Sequence, residues 1–217
     1  MNVLFRALVA LLVLSPLACS AAEAPTYKLG EHYMRVREVQ SPLNPAKIEV
    51  MEVFAYSCPH CYAFEPDLTK WLKKLPADVE FTRQPHTLGQ PAGALRNKAF
   101  YAARMLGVLD RFHSALFNAI HKEGRTMATV EDLRELFIKQ TGVKAEDFEG
   151  AFNSFAADAG YRRGENAIQA MGISSVPTMV VDGAYFASPG SAGGGFPGML
   201  KVTDFLIEQA RKERSKR

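Results

Sequence analysis

The sequence predicts an α/β protein in which one sheet-containing domain is interrupted by an all-helical subdomain. Residues 47–83 carry a strand–helix–strand pattern, and a second strand-rich segment begins near residue 178. Residues 92–171 between them show helical periodicity and almost no strand signal. The chain has 217 residues, of which 47% are hydrophobic, which is enough for one well-filled core and slightly long for a minimal domain.

Residues 1–22 have the layout of a secretory signal peptide, with Arg6 before a short apolar run and small residues at the expected cleavage point after Ala22. The apolar run is far too short to span a bilayer. A lipoprotein signal ending at Cys19 is the alternative, which is less favoured because Pro16 stands where an apolar residue is usual. Both interpretations place the protein in the bacterial periplasm, an oxidising compartment.

The first structural unit is a βαβ pattern. Residues 47–56 predict a strand because they are rich in valine and aromatic residues, and alternation puts Glu52 on an otherwise apolar face. Residues 59–75 predict a helix in which Pro66 should cause a kink. Residues 79–83 predict the second strand.

The middle of the chain predicts a compact helical subdomain, for which we expect the limits 92–165. Thr129 is a suitable N-cap, and glycines end several of the apolar-periodic segments. The expected helices cover residues 94–106, 109–122, 130–141, 145–157 and 158–171. Residues 23–91 and 166–217 then form one discontinuous domain, which is possible because the ends of an insertion normally lie close together.

The last segment predicts two short strands, residues 178–181 and 185–187, joined by a hairpin turn at Asp182-Gly183. The glycine-rich residues 188–198 are expected to be a flexible loop, since they lack the Lys and Ser/Thr of a phosphate-binding loop. A final helix is expected over residues 199–211.

The C-terminal residues 211–217 form a basic run, which predicts a frayed, solvated helix end. The formal net charge of the whole chain is only +3. Neither feature indicates a nucleic-acid partner.

Two cysteines, Cys58 and Cys61, remain after signal cleavage, at the junction of the first strand and helix. A c-type haem would need a histidine directly after the second cysteine, where this chain has Tyr62. A structural zinc site would need a second ligand pair, and the histidines outside the motif are scattered. A redox-active pair is favoured, while a thiol-based metal-binding module stays open as a less favoured alternative.

The local sequence favours thiolate chemistry at Cys58. It precedes a helix with Pro59 at its first position, so unpaired backbone N–H groups and the helix dipole should stabilise an anion there, with His60 adding a donor or positive charge. Cys61 lies one turn further on and is expected to be the resolving thiol. Glu52 is a candidate proton acceptor for Cys61.

Two ordinary structural interpretations remain beside these catalytic ones. Glu52 could be a surface or salt-bridged residue, for which Arg83 on the next strand is a possible partner. His86 is expected to be a core or surface histidine rather than a catalytic residue.

The CPHC motif after the strand EVFAYS, the following proline-containing helix and a remote Val-Pro before a strand resemble the thioredoxin superfamily. Together with the helical insertion and SSVPTMVVDG, they are similar to the DsbA group of bacterial periplasmic thiol:disulfide oxidoreductases, from about residue 30 to 211. The resemblance implies a thioredoxin-like fold. It implies Cys58 as nucleophile, Cys61 as resolving cysteine, and Pro59 and His60 as the dipeptide that tunes the redox potential.

The resemblance also implies that Pro177 is in cis and faces the disulfide, with Val176 offering backbone hydrogen bonds to an extended substrate. Arg83 stands where a lysine is usual, Pro66 is more typical of thioredoxin itself, and the glycine-rich loop is expanded.

The implied activity is donation of a disulfide to unfolded exported proteins with cysteine pairs, followed by reoxidation by a DsbB-type membrane quinone reductase. A monomer without cofactor or metal is expected. Disulfide isomerase or reductase activity is the enzymatic alternative. It is less favoured because only about 20 mature residues precede the first strand, too few for the N-terminal dimerisation domain of isomerases.

Overall fold

The protein is described here by a computed structural model that covers residues 26–216. These residues form a five-stranded sheet with the order β1-β5-β4-β2-β3. Its strands are β1 (Met34–Arg35), β2 (Ile48–Phe54), β3 (Val79–Pro85), β4 (Thr178–Val181) and β5 (Tyr185–Ala187). β2 is parallel to β3 and antiparallel to β4, while β5 is antiparallel to both β4 and β1. The predicted signal peptide, including Cys19, lies outside the described residues.

The helices are α1 (Pro59–Leu72), α2 (Pro91–Met105), α3 (Leu109–His121), α4 (Val130–Thr141), α5 (Ala145–Phe152), α6 (Phe155–Met171), α7 (Pro189–Ala192) and α8 (Gly195–Arg214). α1 and α8 cover one face of the sheet, where Phe64 and Leu206 pack with Val50 of β2. The end of α6 covers the other face, where Ile168 packs with Val53. Within residues 26–216, no helix combines the length and apolar character needed to cross a membrane.

The helical segment between β3 and β4 shares its core with the strand that leads to the cysteines. Phe54 and Tyr56 belong to the same buried cluster as Phe112 and Phe117 of α3, and both cysteines lie in that cluster. The insertion therefore packs directly on the CPHC motif. α6 continues through the expected boundary at residue 165 and contacts both α2 and the sheet.

The predicted helices and strands are present, but several of them begin or end at residues other than those expected. The helix break expected at residue 157 lies earlier, because Ser154 caps α6 by accepting a hydrogen bond from the N–H of Ala157. Thr129 caps α4 in a capping box, as predicted. α1 ends at Leu72 rather than near residue 75, and it continues past the exposed Pro66.

The prediction of a flexible loop over residues 188–198 is wrong. Ser188 forms a capping box with Ser191 at the start of α7, and α8 already begins at Gly195. A Cβ atom at Gly198 would lie 1.5 Å from the carbonyl oxygen of Gly193, so glycine at residue 198 permits a close backbone contact.

The C-terminal basic run is also more ordered than expected, since α8 extends to Arg214. Arg211 forms an ion pair with Asp78 at 2.7 Å, and the Nε of Arg214 donates a hydrogen bond to Asp182 at 2.9 Å. These contacts anchor the last helix to the loop before β3 and to the β4–β5 turn.

Candidate active site

Cys58 is the N-cap residue of α1, with an extended backbone (φ −87°, ψ 114°) and Pro59 in the first helical turn. Its Sγ accepts a hydrogen bond from the backbone N–H of Cys61 at 3.3 Å. A thiolate at this position replaces the side-chain oxygen that usually satisfies the first free N–H groups of a helix. The strand β2 and the cap geometry therefore place Cys58 where a negative sulfur is favoured.

The pKa of Cys58 is lowered from its ordinary value of 9.0 to about 6. The largest cause is the hydrogen bond with the Cys61 side chain. This bond and the hydrogen bonds from the N–H groups of Cys61 and His60 lower the pKa, and together they outweigh burial, which raises it. The His60 side chain is exposed, and its charge makes the smallest of these contributions. Cys58 is thus largely a thiolate at neutral pH.

Cys61 has the opposite environment although it lies only three residues further along the chain. It is fully buried, and burial strongly raises its pKa, with the hydrogen bond to Cys58 adding to the effect. Both cysteines are free thiols in this structure, which is the reduced form of the pair. The reduced pair therefore combines a thiolate at Cys58 with a neutral, hydrogen-bond-donating thiol at Cys61.

The loop before β4 faces Cys58. The Val176–Pro177 peptide bond is cis, as the resemblance implied. The Sγ of Cys58 lies 3.7 Å from the carbonyl oxygen of Val176, to which the protonated thiol donates a weak hydrogen bond. Residues 118 positions apart in the sequence are thereby brought together.

Glu52 lies in the middle of β2 and is completely buried on the side of the sheet that faces α1. Its Oε2 is 3.3 Å from the Nε of Arg83, as the alternative interpretation expected, but neither carboxyl oxygen has a hydrogen-bond partner. Burial raises the pKa of Glu52 to about 8, because it outweighs the attraction of Arg83. Glu52 is thus able to hold a proton at neutral pH.

Two residues that the sequence did not single out extend this charged cluster. Arg83 donates hydrogen bonds to both carboxyl oxygens of Glu65, at 3.3 and 3.1 Å. Glu65 also lies 3.2 Å from the Nε2 of His113, whose Nδ1 is 3.1 Å from the hydroxyl of Tyr56. Glu65 could have been found, since it lies one helical turn after Cys61 on α1. His113 carries no such local signal, because it reaches the cluster from the insertion.

His86 lies apart from the cysteine pair and contacts Glu165 of α6, with Nδ1 and Oε2 3.0 Å apart. Across residues 26–216, no group of three or more His, Cys, Asp or Glu side chains is arranged to hold a metal ion.

A dithiol at a strand–helix junction, opposite a cis-proline loop, defines a thiol–disulfide exchange protein of the thioredoxin type. Residues 49–194 match the model of the DSBA-like thioredoxin domain. The thiol:disulfide interchange protein DsbA of Pseudomonas aeruginosa is 40% identical over 204 residues, which are 94% of this chain and 95% of the relative. The DsbA of Azotobacter vinelandii is 40% identical over 184 residues, 85% of each chain.

The solved structure of Pseudomonas aeruginosa DsbA superposes with a TM-score of 0.80 at 39% identity, covering 87% of this chain and 97% of that one. The chain therefore belongs to the DSBA-like thioredoxin family. It has the predicted thioredoxin-like fold with a helical insertion, and it is a thiol:disulfide oxidoreductase.

Proposed function

We propose that the protein oxidises cysteine pairs of newly exported proteins in the periplasm by donating its Cys58–Cys61 disulfide. The observation that carries this assignment is the opposed pair of thiols, with a pKa of about 6 at Cys58 and a strongly raised pKa at Cys61. Stabilising the Cys58 thiolate stabilises the reduced protein. Its disulfide is consequently a strong oxidant.

The reaction has two exchange steps. A substrate thiolate attacks the Sγ of Cys58, the Cys58–Cys61 bond breaks, and Cys61 leaves as a thiolate that takes up a proton. The second substrate thiolate then attacks the substrate sulfur of this mixed disulfide and releases Cys58 as a thiolate. Two substrate thiols have lost two electrons, and the enzyme disulfide has gained them.

The same electrostatics favour forward transfer at each step. Cys58 is the better leaving group of the two because its thiolate is stabilised by the helix N-terminus, so the mixed disulfide resolves towards oxidised substrate. Cys61 is buried and becomes protonated, which disfavours its return attack on the mixed disulfide. In this scheme Glu52 is the residue that exchanges a proton with Cys61.

The substrate is held beside Cys58 by the loop at Val176 and Pro177. The carbonyl of Val176, 3.7 Å from Cys58 Sγ, is positioned to pair with the backbone of an extended peptide. Backbone pairing is insensitive to side chains, so this site should accept many unfolded proteins. Pro59 and His60 are exposed beside the nucleophile, where they border the access to its sulfur, and the N–H group and charge of His60 contribute to its potential.

Reoxidation of the reduced pair requires an electron acceptor. We assign this role to a membrane quinone reductase of the DsbB type, which would form the same kind of mixed disulfide with Cys58. Addition of membranes that contain such a reductase should restore the disulfide, and quinone depletion should prevent it. The enzyme is expected to act as a monomer in this exchange with the membrane reductase.

Oxidative refolding of a reduced multi-cysteine protein tests the proposal. The wild type, oxidised beforehand, should speed disulfide formation, whereas Cys58→Ser should give the uncatalysed rate. When offered a substrate that already holds a disulfide, Cys61→Ser should attack it through the Cys58 thiolate, release one substrate thiolate and accumulate as a mixed disulfide, because no second thiol is present to resolve it. Lys70→Ala, on the exposed side of α1, is the matched control and should retain full activity.

Three results would count against the assignment. Equal refolding rates with wild type and Cys58→Ser would remove the oxidase function. Faster rearrangement of a scrambled disulfide protein than oxidation of a reduced one would instead favour the isomerase alternative. Stoichiometric metal on the purified reduced protein would support the metal-binding alternative.

A further inference from the structure

We propose that His113 is a positioning residue that directs the proton shared by the carboxyl groups of Glu52 and Glu65 onto Glu52 rather than onto Glu65. This inference deepens the proposed function and rests on it for its catalytic meaning. The location of the proton itself can be measured without any activity.

The surroundings of His113 select one form of its imidazole ring. The side chain is 3% exposed and packs edge-to-face on Phe54 and Phe117, with ring centroids 5.0 and 4.9 Å apart. On one side the Nε2 faces Glu65, which is an acceptor when ionised, and on the other the Nδ1 faces the hydroxyl of Tyr56. A neutral ring with its hydrogen on Nε2 satisfies both, by donating to Glu65 and accepting from Tyr56.

Burial also disfavours a charged ring. It lowers the pKa of His113 and outweighs the raising effect of Glu65, while the charge of Arg83 lowers this pKa further. Asp110 on the same helix acts in the opposite direction but only as the weakest of these influences. Arg83 is thus left as the cation that faces the two carboxyl groups of this cluster.

Glu52 and Glu65 compete for that cation. Arg83 donates hydrogen bonds to both oxygens of Glu65, whereas its Nε lies 3.3 Å from Glu52 without hydrogen-bond geometry. Two carboxylates near one guanidinium in a buried site favour retention of one proton. Glu65 accepts a further hydrogen bond, from the N–H of His113, and this bond favours the ionised form of Glu65. The shared proton therefore resides on Glu52.

The groups that face each carboxyl group give the same result. Burial raises the pKa of Glu65, but its interactions with His113, and after those the charge and hydrogen bond of Arg83, lower it below its ordinary value. Glu52 faces Arg83 from β3, Glu65 from α1 and the sulfur of Cys58, of which only Arg83 favours ionisation. The charge of Glu52 in turn raises the pKa of Cys61, which shows that the two groups interact.

The functional consequence concerns the step in which Cys61 leaves the disulfide. A proton held on Glu52 is available to the buried Cys61 thiolate, whose pKa responds to the charge of Glu52. His113 touches neither sulfur and therefore acts through Glu65 and Glu52. The helical insertion would thus contribute to the chemistry of the sheet domain through one imidazole.

The test is a site-resolved pH titration of the reduced protein by carboxyl-carbon NMR. In the wild type, Glu52 should titrate near pH 8, with Glu65 ionised throughout that range. His113→Phe removes the donor to Glu65, and the midpoint of Glu52 should then fall by about one pH unit while that of Glu65 rises. His113→Gln can donate to Glu65 and accept from Tyr56, so it should keep the wild-type midpoints.

The rate at which Cys61 resolves a mixed disulfide supplies a second readout. Its pH dependence should shift with the Glu52 midpoint in His113→Phe and stay in place in His113→Gln. An unchanged Glu52 midpoint in His113→Phe, or equal shifts in both variants, would overturn the proposal. If His113→Phe does not fold, His113→Asn, which is too short to reach Glu65, carries the same expectation. A shift in the midpoints with no catalysed oxidation by the wild type would refute only the proposed function.

Discussion

The two cysteines of one motif show how differently a protein can treat the same side chain. Cys58 and Cys61 are three residues apart on the first turn of α1 and both are nearly or fully buried. The pKa of Cys58 nevertheless falls to about 6, while that of Cys61 rises far above its ordinary value. Burial is thus a poor guide to thiol reactivity, because the hydrogen bond with the Cys61 thiol and the N–H groups at the start of α1 lower the pKa of Cys58 in spite of it.

The two environments also have different origins in the sequence. The Cys58 environment is local, because the groups that lower its pKa are Cys61 and His60 of the same turn. The Cys61 environment is assembled from separate elements, with Glu52 on β2 and the cluster beyond it reaching His113 on α3. Changes at the motif should therefore act mainly on Cys58, and changes elsewhere mainly on the Cys61 side.

The largest expected effect is a pH dependence of stability that only the reduced protein shows. The pKa of Cys58 is about 6 in the folded state and 9.0 ordinarily, so its thiolate stabilises the fold fully above pH 9.0. That stability is lost as the pH falls through about 6. The difference corresponds to as much as about 4 kcal/mol in the free energy of unfolding. Denaturant unfolding of reduced and oxidised protein across this range measures it.

The oxidised protein is the internal control, because it has no Cys58 thiolate and shares the other titrating groups. Cys58→Ser should likewise lack the dependence. Parallel curves for reduced and oxidised protein between pH 6 and 9.0 would mean that the folded structure does not favour the thiolate. Above pH 9.0 the trend should reverse, since unfolded Cys61 then ionises and the folded form does not.

The next effect is on the Cys61 side. The pKa of Glu52 is about 8 in the fold against 4.5 ordinarily, so its ionisation favours unfolding increasingly as the pH rises from 4.5 to 8. Glu52→Gln should therefore raise the free energy of unfolding at pH 8 by about 1–4 kcal/mol, because each pKa unit of the raised value corresponds to about 1.4 kcal/mol. The gain should vanish below pH 4.5. Denaturant titration of the oxidised proteins gives both values.

Glu65→Gln provides the matched comparison in the same cluster. The pKa of Glu65 is lowered, so its carboxylate stabilises the fold above its ordinary value of 4.5, and the variant should be less stable at neutral pH. Stabilisation by both substitutions would show that the two carboxyl groups are equivalent, which would contradict the separation drawn between them.

The same division between local and distant causes explains what could be predicted from the sequence. The sheet domain, the helical insertion and the roles expected at Cys58 follow from periodicity and capping, which are local patterns. Glu52 was found because alternation placed an acid on an apolar face. His113 was not, because its partners Tyr56 and Glu65 are brought to it only by tertiary packing.

The glycine-rich residues 188–198 show the opposite failure, in which a local pattern was misleading. Glycine usually indicates flexibility in a loop. Here it allows α7 and α8 to meet closely, with the Gly193 carbonyl occupying the place of a Cβ at Gly198. Amino-acid composition cannot distinguish a glycine in a flexible loop from a glycine that permits a close backbone contact, because the difference depends on which atoms lie next to it in the folded protein.

The smallest expected effect belongs to His60. Its side chain is exposed, and its charge comes last among the influences that lower the pKa of Cys58. His60→Ser keeps the backbone N–H and removes only that charge, so it should raise the pKa of Cys58 by less than about one pKa unit. The rise should be smaller at high salt, because salt screens the charge of an exposed side chain. Titration of the thiolate ultraviolet absorbance at low and high salt measures this, with His32→Ser as a control remote from the motif.

A large rise in the pKa of Cys58, independent of salt, would contradict the ranking and make His60 the main source of thiolate stability. A small, screened rise would leave the Cys61 thiol and the backbone N–H groups of α1 as the main sources. In that case the stability of the Cys58 thiolate depends mainly on the position of its sulfur at the start of α1, and only secondarily on the dipeptide between the cysteines. An insertion or deletion in the Ala55–Ser57 connection would then affect the oxidant more than a substitution of Pro59 or His60, because it moves Cys58 away from the cap position.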